Sequence, residues 1–152
     1  MRMRTIFFFL SVGITSLCIF FTASAAAQAA TLQIVPSTST QEVNQLFTVT
    51  ILLDTEGAGV DGVDVHYLAY DPAFLEAQGI AVTPGTLFAN TNINTVNAGN
   101  GKIDFAQSSQ GGSQFTGQGT LTTIQFKMLK TGVTNLTFDF TPNVTTDTNI
   151  SS

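Results

Sequence analysis

An all-β fold of two packed antiparallel sheets is what this sequence predicts. Apolar and polar residues alternate in short runs, with Phe47, Val49, Ile51 and Leu53 set against Thr48, Thr50 and Asp54. A period of two is the pattern of a strand that buries one face. Beyond residue 30 no three-to-four spacing of apolar residues runs long enough for an ordinary helix. The stretches between the runs are rich in Asn, Gly, Ser and Gln, the punctuation of strands that turn back on one another.

The N-terminal segment is set aside first. Met1-Arg2-Met3-Arg4 is a cationic start, Ile6 to Phe21 is an apolar run, and Ala27-Gln28-Ala29 offers the small-x-small pattern of a cleavage site. These are the parts of a cleavable signal peptide over residues 1–29, cut after Ala29. The expectation is a secreted or cell-surface protein that meets a membrane only during export. Ile6 to Ala27 is also long enough to span a bilayer, but its alanine-rich end suits a peptidase better than a stop-transfer flank. Cys18, the sole cysteine, follows Leu17 and so lacks the small residue a lipoprotein site wants. Its loss with the signal leaves no disulfide and no cysteine-based metal site.

Residues 30–152 then form one domain, without an internal repeat. Leu32 to Val35 reads as a strand ended by Pro36, and Phe47 to Leu53 as a long half-buried one. A glycine-rich loop from Glu56 leads into the alternating run Gly62 to Tyr70, which Asp71-Pro72 closes. Asp71 can cap the turn, while Pro72 sits where no amide donor is needed; the chain re-enters a sheet through Leu75. Further strands are expected at Ile103 and Phe105, at Ile124, Phe126 and Met128, and at Leu136, Phe138 and Phe140. Ala89 to Gly101 and Gln107 to Gly119 read as loops. Asn143 to Ser152 reads as a polar loop as well, which leaves open that the domain is a fragment lacking its last strand. In that case Leu32 to Val35 has a free edge, open to pairing with another strand.

Charge narrows the partners. Without the signal segment, Lys102, Lys127 and Lys130 face ten acidic residues, and nothing resembles the basic cluster that nucleic acid requires. The acidity favours solubility and a basic partner.

Motifs for chemistry are weak. Gly57-Ala58-Gly59-Val60-Asp61-Gly62 spells a dinucleotide-binding loop but precedes a strand, where a phosphate site needs a helix N-terminus. His66 is the only histidine, which precludes a paired-His metal site and suits a structural role. Gly111-Gly112-Ser113-Gln114-Phe115 lacks the closing glycine of a nucleophile elbow. Asp61 and Asp64 are spaced as solvated loop and strand carboxylates rather than as an acid–base pair. Asp147 to Ser151 starts like a calcium loop without its glycine or closing glutamate, and three Asn-x-Ser/Thr sequons begin at Asn135, Asn143 and Asn149. No catalytic set, cofactor or metal is expected.

Five landmarks occur in one order: the run ending in Tyr70-Asp71-Pro72, Leu75, Pro84-Gly85, Gly101-Lys102-Ile103-Asp104-Phe105, and Gly119-Thr120-Leu121-Thr122-Thr123-Ile124-Gln125-Phe126-Lys127. In this the chain resembles the cohesin domains. The resemblance implies a jelly-roll β-sandwich that binds dockerin modules, the calcium-dependent tags of enzymes in plant-cell-wall-degrading complexes. It implies that one flat sheet face receives the dockerin, with alternate residues of the third strand in contact. Those positions hold Val63 and Val65, with Tyr67 next on the same side, if Leu68 and Tyr70 are buried. Lys102, Asp104, Gln125 and Lys127 are polar candidates on other strands. Aromatic and apolar residues ringed by polar ones are the anatomy of a contact site.

The expected function is therefore a non-catalytic exported module that docks a dockerin-like partner in an extracellular or surface assembly, with a link to polysaccharide breakdown. Two other classes compete. A carbohydrate-binding module would make polysaccharide the ligand, but residues 30–152 have no Trp and only Tyr67 and Tyr70 to stack on sugars. A structural module of a surface or adhesion protein would use the same sandwich for stacking.

Overall fold

Nine strands build two antiparallel sheets in the structure, a computed structural model that describes residues 29–81 and 87–152. The strands are β1 (Thr31–Val35), β2 (Leu46–Asp54), β3 (Gly62–Ala69), β4 (Leu75–Ala81), β5 (Asn90–Asn97), β6 (Lys102–Ser108), β7 (Gln118–Met128), β8 (Thr137–Phe138) and β9 (Asn149–Ser151). One sheet has the order β1-β2-β7-β4; the other runs β5-β6-β3-β8, with β9 also paired to β3. The signal peptide expected over residues 1–29 lies, apart from Ala29, outside the described residues, as does Pro84-Gly85. Among the described residues no helix is long and apolar enough to cross a membrane.

Alternation produces the core as expected in most strands. Val49, Ile51 and Leu53 of β2 point inward with Leu121, Ile124 and Phe126 of β7, and meet Val63, Val65, Leu68, Ile103 and Phe105 of the opposing sheet. Tyr70 crosses between the layers with its ring edge toward Phe126, centroids 5.3 Å apart. Burial of the apolar atoms of these side chains contributes about 1.5–3 kcal/mol each, which a chain without disulfides needs.

The turn after β3 follows its sequence reading. Asp71 Oδ1 accepts the Ala73 N–H at 2.8 Å, and the Asp71 carbonyl accepts the N–H groups of Phe74 and Leu75. Tyr70 N–H donates to the Gly101 carbonyl at 2.8 Å. Gly101 has φ 61°, and a Cβ there would stand 2.0 Å from the Tyr70 carbonyl oxygen. Only glycine allows this close approach, which ties the end of β3 to the start of β6.

Several expectations are corrected. Ala89 to Gly101, read as a loop, contains the eight-residue strand β5 and a 3-10 turn at Ala98–Asn100. Its asparagines disfavour strand formation in isolation, but pairing with β6 from Asn90↔Ser108 to Asn97↔Lys102 overrides local preference. The strand read through Leu136, Phe138 and Phe140 shrinks to Thr137–Phe138, and Phe140 is 62% exposed. Asn143 to Ser152 is not all loop, because β9 pairs Asn149 to Ser151 with Asp64 to Gly62.

The largest correction concerns β3. Val63 and Val65 are buried in the core, at 3% and 2% exposure, and so are Leu68 and Tyr70. A strict period of two cannot place all four on one side. The register explains it: Val65 pairs with Phe105 and Leu68 with Ile103, so three steps on β3 match two on β6. One residue of the pair His66 and Tyr67 is extra, a β-bulge that reverses the phase of the strand.

Candidate docking face

The outer face of the β5-β6-β3-β8 sheet gathers three of the residues singled out from sequence. Lys102 and Asp104 project outward from β6, because Ile103 and Phe105 between and beyond them point into the core. Tyr67, at the bulge, presents its ring to the same side, with the Lys102 Nζ 3.8 Å from the ring centroid. A cation over a tyrosine face at that distance is attracted by the ring quadrupole. His66 packs on Tyr67, ring centroids 4.1 Å apart, which gives the histidine a stacking role.

Asp104 sits among charges. Burial pushes its carboxyl above the ordinary carboxylate range, His66 draws it back down, Asp64 of β3 raises it, and Lys102 lowers it. Its Oδ1 is shielded from solvent and has no hydrogen-bond partner. Lys102, the nearest cation along the strand, lies instead over Tyr67. The face thus combines an anchored aromatic ring, a fixed ammonium and a partly desolvated carboxylate.

The other candidates lie elsewhere. Val63 and Val65 cannot touch a partner from inside the core. Gln125 and Lys127 belong to β7 in the other sheet, where Gln125 pairs with Thr48 and Lys127 with Leu46 and Glu76. Their outward side is the opposite surface of the sandwich, so they cannot share one contact with Tyr67.

Residues that the sequence reading missed complete the face. β5 adds Thr95 opposite Asp104, Asn97 opposite Lys102, and Ile93 opposite Ala106; Ile93 is 42% exposed. Asp64 and Asn149 face each other across β3 and β9 on the same side. Placing Ala89 to Gly101 in a loop hid the β5 set.

Other motifs resolve into structure. The loop at Gly57 leads into β3, and Asp61 accepts a hydrogen bond from Ser151 Oγ at 2.8 Å. Ser113 Oγ donates to the Gln110 carbonyl in an exposed turn. Asp147 is buried and accepts the Thr141 N–H through Oδ2. No group of three or more His, Cys, Asp or Glu that could hold a metal occurs among the described residues.

Residues 32–151 match the family model of the cohesin domain. The chain belongs to the cohesin family. A type II cohesin domain from the cellulosome of Acetivibrio cellulolyticus is similar at a TM-score of 0.57 and 17% identity, over 81% of this chain and 84% of that one. CaCohA2 from Clostridium acetobutylicum, solved in solution, is similar at a TM-score of 0.62 and 13% identity, over 81% and 79% of the two chains. A type I cohesin–dockerin complex from Clostridium thermocellum contains a chain similar at 0.59 and 14% identity, over 74% and 82%. Identities this low establish a shared cohesin fold. No curated protein matches the chain.

Proposed function

We propose that this cohesin is a non-catalytic docking module that receives a dockerin-like partner on the outer face of its β5-β6-β3-β8 sheet, outside the cell. The observation that carries the reading is the Tyr67–Lys102–Asp104 constellation. It lies on the third strand and its neighbour, in a family whose solved members include cohesin–dockerin complexes. Export by a signal peptide cut after Ala29 and action in a surface or polysaccharide-degrading assembly complete the proposal.

Physically the face suits docking better than chemistry. The ring of Tyr67 is held in place by contacts with Lys102 and His66, so little side-chain entropy is lost when a partner covers it. Aromatic anchors of this kind carry a large share of interface energy. Lys102, Asp104, Thr95 and Asn97 around it can set orientation through hydrogen bonds.

The test is a panel of purified type I and type II dockerins presented to the wild type and to Tyr67→Ala. At least one dockerin should be retained, and Tyr67→Ala should weaken that capture about tenfold or more. Capture that is indifferent to Tyr67, or a panel with no binder at all, counts against the proposal.

A further inference from the structure

Between β8 and β9 the chain makes a loop from Asp139 to Thr148, in which an oxygen-bearing side chain stands at every second position: Asp139, Thr141, Asn143, Thr145 and Asp147. Hydrogen bonds close the loop on itself. The Thr148 N–H donates to the Asp139 carbonyl at 2.9 Å and the Val144 N–H to the Thr141 carbonyl at 3.1 Å. Asn149 Nδ2 donates to the Asp147 carbonyl at 2.9 Å and to the Thr145 carbonyl at 3.4 Å.

Within this loop a carboxylate has one oxygen unanswered. Asp147 is 6% exposed; its Oδ2 takes the Thr141 N–H, but its Oδ1 is shielded from solvent and has no hydrogen-bond partner. The same holds for Oγ1 of Thr148, which is 4% exposed. Burying a carboxylate is costly unless donors or a counter-charge meet it. The basic side chains of the described residues are engaged elsewhere: Lys102 lies over Tyr67, Lys130 over Phe74, Lys127 faces Glu76 across β7 and β4, and His66 stacks on Tyr67. No arginine follows Arg4. The counter-charge has to come from solution.

We infer that this loop is a cation site, which takes one calcium ion on Asp147 Oδ1 and completes its shell with neutral oxygens of the loop. Every side-chain donor there is a hard oxygen, and no thiolate or imidazole is present to favour a transition metal. Calcium accepts about six to eight oxygens in a flexible arrangement, backbone carbonyls and amide oxygens among them, whereas magnesium demands a tight octahedron. One buried carboxylate sets a modest affinity, a Kd of about 0.1–1 mM, the range of extracellular modules. The ion braces the rim of the docking face, because the Asp139 N–H donates to the Tyr67 carbonyl and Asn149 lies opposite Asp64.

The site stands without the docking proposal, and its test needs no dockerin. Protein stripped with a chelator and returned to 10 mM calcium chloride should melt about 3–8 °C higher. In a proton–nitrogen correlation spectrum, calcium should shift the Thr141 amide most, since that N–H bonds the same carboxylate. Asp147→Asn, which keeps an acceptor for Thr141, should lose the calcium response; the Thr141 shift in the wild type decides the matter if that variant does not fold. An unchanged Tm in calcium, an equal gain from 10 mM magnesium chloride, largest shifts at Asp54 and Glu56 instead, or a variant that responds like the wild type would each overturn the assignment.

Discussion

The phase reversal in β3 makes a quantitative claim that one pair of variants decides. Val65 is 2% exposed and pairs with Phe105 across the sheet. Val65→Ala removes two buried methyl groups, about 1.6 kcal/mol of transfer free energy at ~0.8 per group. A cavity term adds about 1 kcal/mol, because packed neighbours relax only in part. A loss of about 2–3 kcal/mol lowers the Tm by roughly 8–12 °C for a domain of this size. Tyr67→Ala, two residues on, loses chiefly the contact with Lys102, about 0.5–1 kcal/mol at a partly exposed site. Its Tm should fall by only about 2–4 °C, while dockerin capture drops. Thermal melts followed by circular dichroism give both values. If Val65→Ala melts within about 2 °C of wild type and loses capture, β3 faces the other way and the bulge argument is wrong.

Three further outcomes follow from the same geometry. Gly101→Ala should cost more than about 1 kcal/mol, since it meets both a left-handed backbone and the Tyr70 carbonyl oxygen; an unchanged urea midpoint would show that the β3–β6 junction relaxes freely. Burial raises the Asp104 carboxyl, so the folded state holds its proton more tightly than the unfolded chain, and stability falls as pH rises from the ordinary carboxylate value through the raised one. Asp104→Asn should therefore melt above wild type at neutral pH, with the gap closing below about pH 4; a gap that persists in acid contradicts the sign. Retention on cellulose or xylan is not expected, because Tyr70 is buried and only Tyr67 of the two tyrosines reaches the face; clear retention would move the function toward carbohydrate.

Where alternation is regular, local sequence was sufficient. β2 and β6 bury the residues their period of two selects, and the Asp71 cap forms as its position before Pro72 suggests. β7 does so at Ile124 and Phe126 but also turns Leu121 inward three residues earlier, beside the register shift at Ile51 and Leu52. β5 was hidden because it is an exposed edge strand whose two apolar residues, Ile93 and Val96, are three apart and so fall on opposite faces, and whose register is interrupted between Thr91 and Ile93. The separation of Gln125 and Lys127 from Lys102 and Asp104 was hidden for another reason: sheet membership is set by long-range pairing, which no local period records. β3 differs again, because its bulge has a physical signature in the sequence. Burying Leu68 and Tyr70 at a strict period of two also buries Asp64 and His66, two polar side chains that would need partners in a core of valines, leucines and phenylalanines. Turning the strand over exposes Leu68 and Tyr70 instead. Neither uniform register is acceptable, and one extra residue between Val65 and Leu68 satisfies both halves. The spacing that results, Val63, Val65, Leu68, Tyr70 inward, leaves His66 and Tyr67 side by side on the outer surface. The same irregularity that resolves the conflict in the core therefore presents the aromatic ring on which the docking proposal rests.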